Sequence, residues 1–451
     1  MGALATVGTL DKSDPEKANV TSEAMPAISA PAGEEDVVFG REEDGELINY
    51  KTLTWWQGSI VLIAETVSLG ILSLPSVLAT VGLVPGIILI LVLGVLSTYS
   101  GLVLGEFHRA YPSVQNFGDA VELIGRPIGM GRLFQEIFGW AQVTFQVFVM
   151  ASHLLTLTIC LNTLTNSSTC TIAWGFIGLA IFWALNLPRT LKYASYMSMA
   201  YVAIERPIGS GSIEVTRELE LAGAFLAVTN IAIAFSSHSC FFSVIAEFKK
   251  PEDWPKALAL LQISDTAIYL VAAIVIYVYV GTDVPSPALS AAGSATMRKI
   301  IWGIAIPTIV IAGVIYGHVA AAYIFSRLFR NTKHMVRRTK LSGFAWIAVT
   351  FGIWAISLVI SQSIPVFNSL LGLIAAMFAS WFSYGLPGVF WLWMHYGKWF
   401  DGWRQTCRFI ANVALFISGL LICVLGLWAS IEAIATESAT KPWTCTSNAA
   451  E

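Results

Sequence analysis

Ten long apolar stretches constrain this chain more than any other feature of its sequence. The hydrocarbon core of a bilayer is about 30 Å thick, so an α-helix crosses it with roughly 20 mostly apolar residues. Hydrophobic residues make up 56% of the chain and charged residues only 12%, unlike the balance of a soluble domain. Because only helices and closed barrels satisfy their backbone polar groups in lipid, we predict an all-α polytopic membrane protein. The ten stretches cover residues 56–80, 84–107, 133–164, 172–187, 222–245, 257–280, 300–325, 344–364, 366–393 and 409–431.

The distribution of basic residues requires one further, shorter crossing. Residues 193–204 are apolar but offer roughly 18 Å of helix, less than the hydrocarbon core needs. Lys and Arg gather in alternate loops, and this positive-inside pattern holds throughout only if the chain crosses once between Lys192 and Arg206. We therefore predict eleven spans, with a cytoplasmic N-terminus and a shortened fifth span. The transmembrane domain then covers residues 53–432.

The two ends of the chain lack this apolar pattern. Residues 1–52 are rich in Asp, Glu, Ala, Pro and Ser, which predicts a disordered acidic cytoplasmic tail. The tail has no basic start followed by an apolar core, so we expect no cleavable secretory signal. Residues 433–451 are expected to form a short non-cytoplasmic tail.

Three residues of the predicted non-cytoplasmic side are candidates for covalent modification. Asn166 begins the sequon Asn166-Ser167-Ser168 and is a glycosylation candidate. Cys170 and Cys445 could form a disulfide if that side is oxidising, but the sequence favours two unpaired thiols. The six cysteines of the chain show no metal-type spacing, so we expect no metal site.

The first apolar stretch contains residues that a simple membrane anchor does not need. Residues 64–75 include one acid, three hydroxyl side chains, a glycine and a proline. This composition favours local unwinding, which would free the backbone amides of Ser68, Leu69 and Gly70. In a bilayer, such bare backbone is tolerated only where it faces protein or a wet cavity. The second half-helix, beginning near Ile71, would point its positive end at an anion such as a carboxylate.

A second interruption occurs in the sixth span. Small polar residues, with His238 among them, break an apolar helix over residues 235–240. Spans one and six are five apart, the spacing expected if two five-helix halves repeat with inverted topology. Broken helices at matching positions of two halves are typical of secondary transporters.

Several of these segments resemble one protein family. Residues 66–75 look like the first-helix signature of the amino acid/auxin permease family, and residues 235–238 with 247–251 resemble its sixth-helix pattern. The fungal neutral amino acid permease branch is similar over residues 317–330, 364–374 and 386–391.

This resemblance implies an inverted-repeat (five-plus-five) transporter bundle plus an eleventh helix, with broken first and sixth helices and a shortened fifth. It implies uptake of neutral amino acids with a cation. Ala64 stands where sodium-coupled relatives are expected to place a side-chain oxygen, so a proton is the expected cation and sodium is less so. The fifth span is shorter than the family pattern, which leaves transport competence open.

The substrate-binding residues are predicted at the two breaks. The substrate carboxylate is expected at the amides of Ser68, Leu69 and Gly70. The ammonium is expected at freed carbonyls near Glu65, Thr66, Phe235 and Ser236, with His238 close by.

Three ionisable residues are proton-coupling candidates: Glu65, His238 and Asp265. An acid at the bilayer centre is costly and is a functional candidate by default, although Glu65 could instead hold a structural hydrogen bond or bind the ammonium. His238 could equally be bonded to a neighbouring helix. For Asp265, a solvated or cation-paired acid near the cytoplasmic end of span seven is the alternative. His153 is expected to make helix contacts rather than to bind a ligand.

The expected function is secondary transport of neutral aliphatic or aromatic amino acids, with proton symport. A sensor of the same fold that transports weakly or not at all is the alternative. The chain has no phosphate-binding glycine loop, no metalloprotease motif and no loop long enough for a catalytic domain, so we expect neither an ATP-driven pump nor an enzyme. The expected partners are a neutral amino acid, a proton and the bilayer, with no cofactor and no nucleic acid. The plasma membrane is favoured over the vacuolar membrane.

Overall fold

The computed structural model describes residues 53–187, 212–218, 220–329, 332, 334, 339–436 and 441–449. The acidic tail over residues 1–52 and the predicted fifth span over residues 193–204 lie outside these ranges. The helices are α1 (Trp55–Thr66), α2 (Gly70–Val81), α3 (Leu83–Ala110), α4 (Phe117–Gly125), α5 (Gly131–Thr165), α6 (Thr171–Asn186), α7 (Leu221–Ala234), α8 (His238–Ala246), α9 (Trp254–Val280), α10 (Ala295–Leu328), α11 (Lys340–Ser363), α12 (Phe367–Ile374), a π-helix (Ala375–Gly385), α13 (Leu386–Met394) and α14 (Trp403–Thr436). Short 3₁₀ helices cover Arg126–Ile128, Pro251–Asp253, Gly281–Asp283 and Ala288–Ala291.

The predicted all-α polytopic architecture is confirmed. Within the described residues, eight helical segments are long and apolar enough to cross a membrane, and the bent pair α1–α2 makes a ninth. The helix α6 is apolar but has only 16 residues, which gives roughly 24 Å of rise. Large apolar side chains point outward around the bundle, among them Val95, Ile263 and Phe344, as expected of a surface that faces lipid. The inverted repeat of two five-helix halves stays a prediction.

Both predicted helix breaks occur. The helix α1 ends at Thr66 and α2 begins at Gly70, one residue earlier than expected, with a bend of 57° between them. Residues 235–237 separate α7 from α8. The two breaks touch, because a Cβ built on Gly70 would lie 2.5 Å from the Cα of Ala234. Glycine at position 70 therefore permits the close backbone approach that brings both breaks to one place.

Two backbone hydrogen bonds join the residue before α1 to the segment that follows α8. The amide of Leu53 donates to the carbonyl of Glu247 at 3.0 Å, and the amide of Lys249 donates to the carbonyl of Leu53 at 2.9 Å. One turn into α1, Gly58 packs directly under the ring of Phe248. These contacts hold the start of α1 against the C-terminal end of α8.

Gly58→Ala is expected to lower thermal stability, because the added methyl group would overlap the Phe248 ring. Overpacking of this kind costs about 1–3 kcal/mol. The measurement is the unfolding temperature of the purified protein in detergent. Gly352→Ala is the matched control, since nothing lies within 4 Å of a Cβ built there. Equal unfolding temperatures for the two variants would contradict this packing.

The C-terminal segment is tied to the α5–α6 loop by a disulfide. Cys170 and Cys445 are bonded to each other, so the preference for unpaired thiols was wrong. The two cysteines are 275 positions apart in sequence, and their proximity depends on where the chain returns after α14. The segment is held further by the bond from Thr171 Oγ1 to the Thr446 carbonyl at 2.7 Å and from Asn162 Nδ2 to Asn448 Oδ1 at 2.8 Å.

Candidate functional site

A small cavity lies where the two helix breaks meet α5, α10 and α12. Its volume is about 30 Å³, room for about two water molecules. A substrate the size of an amino acid therefore requires these helices to part. The cavity is lined by Glu65, Thr66, Ser68, Leu69, Gly70, Val149, Ser152, His153, Ile233, Ser236, Ser237, Tyr316 and Leu371.

The amides of the first break are partly free. Within the described residues, the amides of Leu69 and Gly70 donate no backbone hydrogen bond. They lie at the start of α2, where helix amides have no acceptor in their own helix and the helix dipole is positive. The amide of Ser68 differs from expectation, because it donates to the Thr66 carbonyl at 2.8 Å. The two amides at this break without a backbone acceptor among the described residues are therefore those of Leu69 and Gly70.

Two of the carbonyls predicted to be free already accept hydrogen bonds from side chains. The Thr66 carbonyl accepts from the Tyr269 hydroxyl at 3.0 Å, and the Phe235 carbonyl accepts from Ser97 Oγ at 3.3 Å. The carbonyls of Glu65 and Ser236 have no such partner among the described residues. These two carbonyls are the ones left for a donor such as an ammonium group.

Tyr269 joins the two breaks and was missed by the sequence analysis. Its hydroxyl lies 3.0 Å from the Thr66 carbonyl and 2.6 Å from the Ala234 carbonyl, the last residues of α1 and α7. The side chain is fully buried. A tyrosine in an apolar span gives no sign of this role, since the contact depends on how α9 packs on both breaks.

Glu65 lies in the cavity wall and is held by two neutral donors. Its Oε1 accepts from the Tyr316 hydroxyl at 3.1 Å and from the Cys240 thiol at 3.2 Å. These donors come from α10 and α8, so the carboxyl group joins three helices. No Lys or Arg of the described residues pairs with it in the structure. The geometry allows both a structural bond and exchange of a proton with the cavity.

His238 lies outside the cavity wall. Its Nε2 is 2.8 Å from Ser100 Oγ and 3.0 Å from the Ser97 carbonyl, both on α3. The ring is fully buried. This arrangement matches the alternative of a histidine bonded to a neighbouring helix. Phe235, also predicted for the site, packs its ring edge-on against Tyr269 rather than into the cavity.

Asp265 is not the solvated or cation-paired acid that was the favoured alternative. It is 0% exposed, and neither carboxyl oxygen has a hydrogen-bond partner in the described part of the chain. The physical reason is that α9 packs along α1, α2 and α3, so this face is covered although it lies only two to three turns into the helix.

His153 is part of the cavity wall and also packs against α10, so its expected role as a helix contact rather than a ligand stays a prediction. It is fully buried on α5, and its Nε2 lies 3.4 Å from Ser68 Oγ. Its ring centroid is 5.9 Å from that of Tyr316. The one local signal was the pair Ser152-His153 inside an apolar span, which is ambiguous without the neighbouring helices.

Comparison with known proteins shows the family to which this chain belongs. Residues 51–432 match the family described as transmembrane amino acid transporter protein. The chain belongs to this family. The resemblance inferred from the two helix breaks is thereby confirmed, and the transporter is an integral multi-pass membrane protein.

Fungal relatives agree with this assignment. The N amino acid transport system protein of Neurospora crassa is 30% identical over 423 residues, which cover 88% of this chain and 89% of that protein. A transmembrane transporter of Fusarium pseudograminearum is 27% identical over 472 residues, covering 98% and 94% of the two chains. These relatives are named as transporters and not as enzymes.

One solved structure of a transporter is also similar. It is Mhp1, a nucleobase-cation-symport-1 family transporter, in a closed conformation with bromovinylhydantoin bound. The sequence identity is 13%, the TM-score is 0.43, and the match covers 86% of this chain and 93% of that one. The agreement is too low to carry an argument about mechanism.

Proposed function

We infer that this family member is a secondary active transporter that moves neutral amino acids together with protons. The observation that carries the proposal is the cavity at the two breaks, where unpaired amides and carbonyls lie beside a buried carboxyl group. Such a site offers partial charges of both signs within a few ångströms, which suits a zwitterion.

The substrate carboxylate is proposed to bind the amides of Leu69 and Gly70, with Ser68 Oγ and His153 Nε2 at its side. Charge-assisted hydrogen bonds from backbone amides to a carboxylate are strong ones, and the start of α2 adds its dipole. The ammonium is proposed to bind the carbonyls of Glu65 and Ser236. The carboxylate and the ammonium are then both bound by backbone groups, and neither pairs with a charged side chain.

The walls support a neutral substrate side chain. Val149, Ile233 and Leu371 supply apolar surface on three different helices. No Lys or Arg is among the described residues that line the cavity, so an acidic side chain would find no counter-charge. Aliphatic and aromatic neutral amino acids remain the proposed class, provided that the helices part to admit them.

Glu65 is proposed to carry a coupled proton. An ionised carboxylate at this depth costs free energy, whereas its protonated form can remain bonded to Tyr316 and Cys240. Ala64 offers no side-chain oxygen to sodium, which supports the proton as the driving ion. His238 is assigned a supporting role, because it lies outside the cavity wall and its Nε2 contacts α3.

The decisive experiment is uptake into proteoliposomes with an imposed pH step. We expect external acid to stimulate uptake of neutral amino acids without sodium. Stimulation by a sodium gradient, with no response to acid, would overturn the proton assignment. Binding of the amino acid without any counterflow would overturn transport and identify a sensor.

The proposed orientation places the N-terminus in the cytoplasm of a plasma-membrane protein. Cys170, Cys445 and the sequon at Asn166 would then share the outer, oxidising side. Asn166 is solvent-exposed and caps the end of α5.

Glycosylation of Asn166 is therefore expected in a secretory-pathway host. Treatment with a glycan-removing amidase should increase the gel mobility of the wild-type protein and leave Asn166→Gln unchanged. Thr169→Ala, a neighbouring change outside the sequon, is the control and should behave as the wild type. A glycan on Asn19, which begins the sequon Asn19-Val20-Thr21 of the N-terminal tail, with an unmodified Asn166 would place the N-terminus on the non-cytoplasmic side and contradict the orientation.

A further inference from the structure

A second buried carboxyl group, that of Asp265, lies on α9 and outside the cavity wall. Asp265 is on the same face of α9 as Gln262 and Tyr269, because residues three and four apart on a helix are neighbours. Neither oxygen of Asp265 has a hydrogen-bond partner among the described residues. The mechanism proposed above makes no use of this group, although a buried, unpaired acid is costly at this depth.

A chain of hydrogen bonds leads from this face of α9 to the second break. Gln262 Nε2 donates to Ser97 Oγ at 3.2 Å, and Ser97 Oγ donates to the Phe235 carbonyl at 3.3 Å. The three groups come from α9, α3 and the link between α7 and α8. Gln262 is therefore linked to the backbone of the second break through Ser97.

Like the Asp265 oxygens, one side-chain atom of Gln262 is a buried acceptor without a hydrogen-bond donor among the described residues. Gln262 is 4% exposed, and its Oε1 accepts no hydrogen bond in the described residues. An ionised Asp265 would add two more acceptors and no donor. A protonated Asp265 has one O–H to donate, and Gln262 Oε1, three residues earlier on the same helix face, is an acceptor without a donor among the described residues. A bond from this O–H to Gln262 Oε1 would extend the chain Gln262–Ser97–Phe235 to Asp265.

We propose that Asp265 is a second proton-carrying group of the transport cycle, separate from Glu65, and that Gln262 and Ser97 connect it to the second break. The proton joins an Asp265 oxygen as an O–H bond when this conformation forms. It leaves to water when rocking of the helices opens this face of α9. The inference rests on the proposed function, since it assigns one more proton to the same transport step.

The other titratable groups around Asp265 are few. Glu65 lies on α1, which packs against α9, and two ionised carboxylates buried in one apolar region repel each other. The Nε2 atom of His238 on α8 contacts α3. The hydroxyl of Tyr269, on α9 like Asp265, lies at the carbonyls of Thr66 and Ala234, one at each break. The residue of α3 in the chain of bonds, Ser97, does not titrate in the usable range.

Proton stoichiometry tests this proposal. In proteoliposomes with the membrane potential clamped at zero, each coupled proton adds about a tenfold accumulation of substrate per pH unit. We expect two protons per amino acid in the wild type. The accumulation limit at a pH difference of one unit is then about 100-fold. Asp265→Asn should keep counterflow and lower the limit to about tenfold. The control Asp283→Asn, an exposed acid just beyond α9, should keep the wild-type limit.

Each result separates this inference from the proposed function. A wild-type protein that moves one proton per substrate would overturn the role of Asp265 while leaving proton symport intact. An Asp265→Asn variant that accumulates substrate to the wild-type limit would overturn it too. Absence of acid-driven uptake by the wild-type protein would instead remove the proposed function itself. The wild-type stoichiometry needs no variant, so a misfolded Asp265→Asn protein does not prevent the decision.

Discussion

Gly70→Ala is expected to reduce amino acid uptake by about 10²-fold, the order of loss produced by a misplacement of about 1 Å at a reacting or binding centre. The added Cβ would lie 2.5 Å from the Cα and 2.8 Å from the Cβ of Ala234. Neither atom belongs to a flexible side chain, so the two breaks must move apart. The amides of Leu69 and Gly70 then lose their place opposite the second break.

The measurement is initial uptake per correctly inserted molecule. Gly303→Ala is the control, because nothing lies within 4 Å of a Cβ built at that position in α10. It should transport at the wild-type rate. Unchanged uptake by Gly70→Ala would mean that the close contact of the breaks is not needed for binding.

Glu65→Gln is expected to uncouple transport from the pH gradient in part. The glutamine oxygen can still accept from Tyr316 and Cys240, so the cavity wall should keep its shape. The side chain can no longer gain or lose a proton. Uptake by the wild type should rise as external pH falls, and this rise should flatten in the variant. With Asp265 still present, accumulation at one pH unit should fall about tenfold, which corresponds to one lost proton.

Counterflow at equal pH on both sides separates coupling from binding. We expect Glu65→Gln to retain it, whereas Glu65→Ala should lose most of it. The alanine variant leaves the Tyr316 hydroxyl without an acceptor, and a buried unsatisfied group costs about 1–3 kcal/mol. Glu252→Gln changes an exposed acid and should leave both readouts unaltered. A full pH response in Glu65→Gln would exclude Glu65 as a proton carrier.

The positions of the helix breaks could be read from the sequence because their causes are local. Gly70 with neighbouring hydroxyl residues, and the polar run at Ser236 and Ser237, interrupt apolar helices wherever these pack. The long spans within the described residues were predictable for the same reason, since length and hydropathy decide whether a segment can cross lipid. The family resemblance then depended on these same segments.

The environment of each ionisable residue could not be read in this way. Asp265 was placed in a wet or paired setting, but α9 begins at Trp254 and its face is covered by three helices. His153 became part of the cavity wall only because α1 unwinds beside it. The role of Tyr269 depends on both breaks at once. Such contacts come from helix packing, and a sequence pattern with a 3.6-residue period reports which face is apolar but not which neighbour covers it.

The disulfide illustrates the same limit. Cys170 and Cys445 are 275 positions apart in sequence, and pairing requires the chain end to return to the α5–α6 loop. No spacing rule predicts such a partner.

The account depends on recognition of a carboxylate by the bare amides at the start of α2. Its most direct test is the affinity of the purified protein for an amino acid and for the methyl ester of that amino acid, which keeps the ammonium and side chain. The ester keeps a carbonyl oxygen but loses the charge, so two charge-assisted hydrogen bonds become neutral ones, which costs about 1 kcal/mol each and should weaken binding by about 10–100-fold. Equal affinities for acid and ester would contradict the central claim.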